Sequence, residues 1–153
     1  MALQLNSPAF DDGGALPRRY AHGGDNLSPP LHWSDPPDGV QSWAIVMEEP
    51  QAPAGQRWRW ALYDLPPEHG DLPEGAGRVG QPTGRHAVND LGEARYDGPE
   101  PPAGSGQHRY VFRLLALRTP QLHAPHSPSV LQVLEAARSY VLAQAELSAV
   151  YER

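Results

Sequence analysis

The sequence predicts a mainly β domain carrying one substantial helix close to its C-terminus. Three observations predict it: clustered proline and glycine, short apolar runs between the clusters, and a single segment with helical spacing. Proline (18) and glycine (15) concentrate at Pro29-Pro30, Pro36-Pro37, Pro50 to Gly55, Pro66-Pro67, Pro73 to Gly84 and Gly98 to Gly106. Proline gives a central ladder no amide donor and glycine weakens element interiors, so these clusters read as turns between strands.

The elements follow in order. Leu3 to Leu5 and Leu31 to Trp33 are short strand candidates. Ser42 to Met47 is almost continuously apolar, which suits a strand covered on both faces. Trp58 to Leu65 is a second long strand; alternation places Arg57 and Arg59 on one face and Trp58 and Trp60 on the other, with Trp60 in the core. Gly70 to Arg95 is polar and weakly periodic, an ordered excursion held down at a few points. His108 to Leu117 is the third long strand. Ser127 then reads as a helix cap and Pro128 as the first helical residue. Val130, Leu134, Ala137 and Val141 recur with helical spacing, widened by Leu131 and Tyr140. After about Leu142 the period becomes two, with Ala145, Leu147 and Ala149 alternating with Glu146 and Ser148, which predicts a final strand. The helix is expected against a sheet edge or face. No seam in composition and no repeat divides the 153 residues, so residues 1–153 form one domain.

Composition excludes several function classes. The chain has no cysteine and no lysine, so thiolate metal sites, cysteine nucleophiles and Schiff bases are out. Its formal charge of -6 disfavours nucleic acid and anionic membrane as general partners. The start, Met1-Ala2-Leu3-Gln4-Leu5-Asn6, lacks a basic n-region and a long apolar run, so no secretory signal is expected and the expected location is cytoplasmic. No run of 18 apolar residues suggests an integral membrane segment. There is no Gly-x-Ser-x-Gly elbow, no phosphate-binding glycine loop and no His-Glu-x-x-His. No cofactor is expected, and no hydrolase activity on phosphomonoesters, simple esters or peptides.

Among the seven histidines, His108 stands out because it opens an apolar strand directly after a Gly/Pro loop. His108 and Tyr110 share a strand face, and an imidazole beside a phenol suits an anionic group. The alternative is that the two pin the preceding loop. Arg109 points to the other face, where it would bind carbonyls or a carboxylate of a crossing loop.

Ser7-Pro-Ala-Phe10, Gly14 with Leu16-Pro17, Asn26-Leu-Ser-Pro-Pro-Leu-His-Trp33 and Glu49-Pro-Gln-Ala-Pro53 carry a further signal. So do Trp60, Tyr63, Pro66, Asn89-Asp-Leu-Gly92, Tyr96-Asp-Gly-Pro-Glu-Pro-Pro102, Gly106-Gln-His-Arg-Tyr110 and Ala145-Glu-Leu-Ser-Ala-Val-Tyr151. Together, in order and over essentially the whole chain, they resemble the phosphatidylethanolamine-binding (Raf-kinase-inhibitor-like) family, in its bacterial branch. The resemblance implies two antiparallel sheets with Greek-key connections and peripheral helices. It also implies a small anion-accepting pocket at one end, lined by an Asp-Pro-Asp-x-Pro stretch, the histidine before the tryptophan, and the His and Tyr of Gly-x-His-Arg-Tyr.

Here the second pair is present as His108 and Tyr110, and the loop wall as Gly98, Pro101 and Pro102. In the first group, Glu49 and Gln51 stand where the family has aspartates and Arg59 where it has histidine. The altered pocket implies one of two outcomes. Either Arg59 joins His108 and Tyr110 on a phosphate, sulfate or carboxylate, or Arg59 pairs with Glu49 and closes the pocket, with Arg59, Trp58 and Gln51 filling it.

The leading expectation is a non-catalytic module for a small anionic or phosphorylated group that regulates protein partners. The alternatives are a structural or interaction protein with a closed pocket, and a weak hydrolase using His108 as base with Tyr110 or Arg59 steadying charge. The resemblance further implies a homodimer.

Overall fold

The computed structural model describes residues 2–53, 55–78 and 83–153. Nine strands and one α-helix are seen among them: β1 (Gln4–Asn6), β2 (Gly14–Ala15), β3 (Leu31–Ser34), β4 (Ser42–Glu48), β5 (Trp58–Leu65), β6 (Asp71–Leu72), β7 (Arg85–His86), β8 (His108–Leu117), α1 (Val130–Ala137) and β9 (Val141–Tyr151). One sheet has the order β1-β3-β6 and the other β2-β9-β8-β4-β5-β7. Pairing is antiparallel except between β2 and β9, where Gly14 and Ala15 run parallel to Ala149 and Val150. The long connection after β5 brings β8 back beside β4, so the central strands are not in chain order.

The three long strands fall where their apolar runs predict, and β4 is buried at all seven positions. Both of its faces are covered. One packs Trp43, Ile45 and Met47 into a cluster with Trp60, Phe112, Leu114 and the small sheet's Leu5, Leu31 and Trp33. The other packs Ala44 and Val46 with Ala61, Tyr63, Leu115, Leu117 and the helix residues Val130, Val133 and Ala137. Burying two layers of apolar surface is the main source of stability for such a sandwich, at roughly 25 cal/mol per Å².

Three expectations about local structure are corrected. Helix α1 starts at Val130 and its cap is Ser129, not Ser127. The Ser129 hydroxyl accepts from the Gln132 amide while the Gln132 side chain accepts from the Ser129 amide, a reciprocal capping box. Ser127 has a left-handed φ of 49°, and the carbonyl of Pro128 accepts the Val88 amide at 2.8 Å, so these residues remain outside the helix. The buried stripe accordingly uses Val133, whereas Leu131 is 59% exposed. Val141 already belongs to β9, which starts one residue ahead of the expected switch in period.

The second correction concerns β5. Met47 pairs with Trp60 but Glu48 pairs with Trp58, which leaves Arg59 as an extra residue in the ladder. Such a bulge turns neighbouring side chains to opposite faces. Trp58 therefore packs on the helix side and Trp60 in the cluster between the sheets. Arg109 is exposed and makes no side-chain hydrogen bond or ion pair among the described residues, so it does not brace a crossing loop. The excursion from Gly70 is held by β6, by β7 and by Gly77, whose amide donates to Ser28 Oγ at 2.7 Å. Residues 79–82 of that stretch lie outside the described residues.

Two predictions follow from these placements. Ser129→Ala should cost about 1 kcal/mol in chemical denaturation. Ser127→Gly should be neutral or slightly stabilising, because glycine adopts positive φ freely; the reverse order would restore Ser127 as the cap. On β7, burial pushes the His86 imidazole from its ordinary 6.5 down to about 4. The unfolded chain then takes up this proton first. Its contribution is complete above about pH 6.5 and is lost as pH falls toward about 4, on the order of 2 kcal/mol. His86→Asn should lose less stability than the wild type between pH 7 and pH 4.5 in urea midpoints, and equal losses would refute the assignment.

Candidate functional site at one end of the large sheet

The register brings the C-terminal end of β4, the N-terminal ends of β5 and β8, and the C-terminal end of β9 to one edge of the molecule. Glu48 lies opposite both Trp58 and Val111, and His108 lies opposite Tyr151. Glu49, Arg59, His108 and Tyr110 are consequently gathered from segments far apart in sequence.

The bulge determines what Arg59 does. Its side chain is buried, with Nε donating to the Asp97 carbonyl at 3.0 Å and an Nη group donating to the Gly98 carbonyl. In return, the Arg59 carbonyl accepts the Asp97 amide at 3.1 Å. Neither arrangement expected for Arg59 forms: it makes no pair with Glu49, and its bonded donors go to these carbonyls and not toward His108 and Tyr110. The guanidinium has five N–H donors, enough to reach two successive carbonyls at once.

Glu49 instead meets His108. Its Oε2 lies 3.2 Å from His108 Nδ1, and the other ring nitrogen, Nε2, lies 2.9 Å from Ser105 Oγ. Tyr110 is fully buried, and its hydroxyl has no hydrogen-bond partner among the described residues. Burial first and the Glu49 carboxylate second push the phenol up from its ordinary value, with Arg59 opposing. Glu49 lies near enough to influence the phenol both as an acceptor and as a charge, although the contact falls outside strict hydrogen-bond geometry. Tyr110 thus keeps its proton at neutral pH and remains a donor.

The loop wall is built tightly. A Cβ on Gly98 would collide with the Tyr20 carbonyl oxygen, so only glycine fits there. The Gly98 amide donates to Asn26 Oδ1 at 2.7 Å. Pro101 is buried, and its carbonyl accepts from Arg153 Nη1 at 3.2 Å. Pro102 is exposed and receives the Ser105 hydroxyl at 2.6 Å. Gln51 is exposed on the turn after β4, and Trp58 packs on the helix side, so neither fills the space around His108.

The residues that sequence reading missed are Asp97, Asn26, Asn89 and Ser105. Asp97 is fully buried and receives Asn26 Nδ2 at 2.9 Å, Asn89 Nδ2 at 2.7 Å and Arg95 at 3.2 Å. Asn26 takes a left-handed φ of 55°, which asparagine tolerates better than most residues. Among the described residues no group of three or more His, Asp or Glu side chains could hold a metal ion, and no helix is long and apolar enough to cross a membrane.

Comparison with known proteins agrees with this architecture. The chain is 39% identical over 153 residues to a UPF0098 protein of Methanothermobacter thermautotrophicus, covering 99% of each chain. It is 34% identical over 152 residues to a UPF0098 protein of Aquifex aeolicus, covering 99% of this chain and 89% of the relative. The crystal structure of Escherichia coli YbcL, described as a new member of the mammalian PEBP family, superposes with a TM-score of 0.92 at 31% identity over 100% of this chain and 99% of that one. A putative phosphatidylethanolamine-binding protein homologue from Chlamydia trachomatis gives 0.86 at 34% identity over 99% and 98%. The family description "Phosphatidylethanolamine-binding protein" matches residues 6–152, and with these relatives it shows that the chain belongs to the phosphatidylethanolamine-binding protein family.

Proposed function

We propose that the chain works as a binding module for a small anionic or phosphorylated group, and through it acts on protein partners. The observation that carries this reading is the Tyr110 hydroxyl. It is a fully buried donor without a partner among the described residues, beside His108 and within the field of Arg59. A buried polar group left unpaired costs on the order of 1–3 kcal/mol, which a ligand oxygen would recover. The family supports binding as the general mode of action, and the same fold serves different ligands, so the group is argued from the site alone.

A second reading is favoured by a different observation. Glu49 lies against His108, and Arg59 is engaged by the Asp97 and Gly98 carbonyls. In that arrangement the charges satisfy themselves and the site is closed without a ligand. Gly98, Pro101 and Pro102 then shape a wall, and Gln51 stays outside.

The two readings separate in calorimetry with inorganic phosphate at fixed low salt. A binding site predicts measurable affinity in the wild type. Tyr110→Phe and His108→Ala should then each weaken it by about 1.5–3 kcal/mol, the usual range for a hydrogen bond to a charged group. Glu49→Gln should tighten it, because the carboxylate competes with the incoming anion for His108. No heat of binding in any of the four proteins, Glu49→Gln included, would leave the closed site as the correct description.

A further inference from the structure

The linear sequence contains no nucleophile elbow, yet the turn entering β8 reads Gly104-Ser105-Gly106. Both glycines have left-handed φ values, 77° and 87°, and a Cβ on either would meet nothing within 4 Å. The turn therefore needs glycine for its backbone shape and not for space. The Ser105 amide closes it by donating to the Pro102 carbonyl at 3.1 Å, leaving the exposed Ser105 hydroxyl 2.9 Å from His108 Nε2. On the far side of the ring, His108 Nδ1 lies 3.2 Å from Glu49 Oε2. An ionised carboxylate only accepts, so in a neutral ring it selects the tautomer with the proton on Nδ1. That tautomer turns the Nε2 lone pair toward Ser105.

We infer that Ser105, His108 and Glu49 form an acyl-transfer site, whose substrates are esters of small carboxylic acids with good alcohol leaving groups. This activity goes beyond binding at the same end of the sheet. Ser105 is the nucleophile and His108 the general base, while Glu49 is a positioning residue acting through the ring. As Ser105 Oγ bonds to the ester carbonyl carbon, its proton passes to His108 Nε2. Collapse of the tetrahedral species breaks the carbon–oxygen bond to the alcohol, which leaves with that proton, and the acyl group remains on Ser105. A water molecule then attacks, gives its proton to His108, and releases the free acid as Ser105 recovers its own proton.

The oxyanion donors are supplied by the same turn. The amides of Gly106 and Gln107 directly follow Ser105 and donate to no partner among the described residues. An amide immediately after the nucleophile is where oxyanion donors recur in serine hydrolases. Arg59 does not serve this purpose, since its guanidinium is committed to the Asp97 and Gly98 carbonyls. One feature keeps turnover low. The Ser105 hydroxyl has a second acceptor, the Pro102 carbonyl at 2.6 Å, and its single proton cannot serve both. An exposed serine divided in this way suits an ester, whose leaving alcohol needs less assistance than an amine.

The test uses the full chain with a fluorophosphonate probe and with p-nitrophenyl acetate. One probe should add per chain by intact mass, and peptide mapping should place it on Ser105. Ser105→Ala, an exposed change that leaves the thermal midpoint in place, should abolish labelling. His108→Ala should slow it about 100-fold, the low end for loss of a general base. Glu49→Gln should lower kcat at least about 10-fold with KM and thermal midpoint unchanged, because its amide can hold the wrong tautomer; Glu49→Asp should recover part of the rate. The sign for Glu49→Gln is opposite to that in phosphate binding, so the two roles are told apart. Probe spread over several serines, labelling unchanged in His108→Ala, or ester turnover unchanged in Ser105→Ala would overturn the assignment.

Discussion

Asp97 is the interaction on which the rest of this site depends. A carboxylate with no solvent exposure loses several kcal/mol of hydration unless the protein replaces its water partners. Here the replacements come from three separate segments, through Asn26, Asn89 and Arg95, with His22 Nε2 at 3.7 Å completing the surroundings. Because one charge needs all of them, the segments around residues 26, 89 and 97 are fixed relative to one another. Asn26 contributes twice, donating to Asp97 and accepting the Gly98 amide, which its left-handed backbone permits. The loop so anchored carries Gly98 and Pro101 to the end of the sheet where His108 and Tyr110 emerge.

Arg59 transfers that order to the sheet itself. The bulge between Met47 and Glu48 removes it from the β4 ladder and frees its carbonyl and side chain for the loop. Three hydrogen bonds then join Arg59 to Asp97 and Gly98, two from the guanidinium and one to the carbonyl, while Asn89 Nδ2 adds a longer one at 3.3 Å. The buried guanidinium is met by the Asp97 and Gly98 carbonyls and the buried Asp97 carboxylate by Arg95, Asn26 and Asn89, so both charges have partners in the low-dielectric interior.

What was legible in the sequence follows from how local the cause is. β4, β5 and β8 announce themselves because burial on two faces writes an apolar run within eight or ten residues, and turn residues bound it. The helix was legible as an element, but its start was not. Ser127-Pro128 and Ser129 with Gln132 are both start signals, and the winner is settled by the distant Val88 amide taking the Pro128 carbonyl. The β5 bulge is equally non-local, since it depends on register with β4, and it undoes an alternation argument that was sound for an unbroken strand. At the site, His108 and Tyr110 could be read from strand position and Glu49, Gly98 and Pro101 from resemblance. Ser105 could not, because its significance comes only from a turn that folds it back over a histidine three residues later.

Glu49 shows how one side chain can serve two chemistries with opposite demands. Its backbone is held from both directions, by its own amide donating to the Arg57 carbonyl at 2.8 Å and by its carbonyl accepting the Ala52 amide at 3.1 Å. From this backbone the carboxylate reaches His108 Nδ1 at 3.2 Å. For an arriving anion that is an obstacle, since an internal carboxylate already occupies the ring nitrogen that would face the ligand. For proton transfer at Ser105 it is an advantage, because the same contact fixes the ring's tautomer and orientation. The geometry around Tyr110 adds a third constraint: its hydroxyl stays protonated and unpaired under the influence of the same carboxylate. A ligand that satisfies Tyr110 must present an acceptor to the phenol. In both proposed roles, what a ligand would meet at this end of the sheet depends on the Glu49 carboxylate at His108.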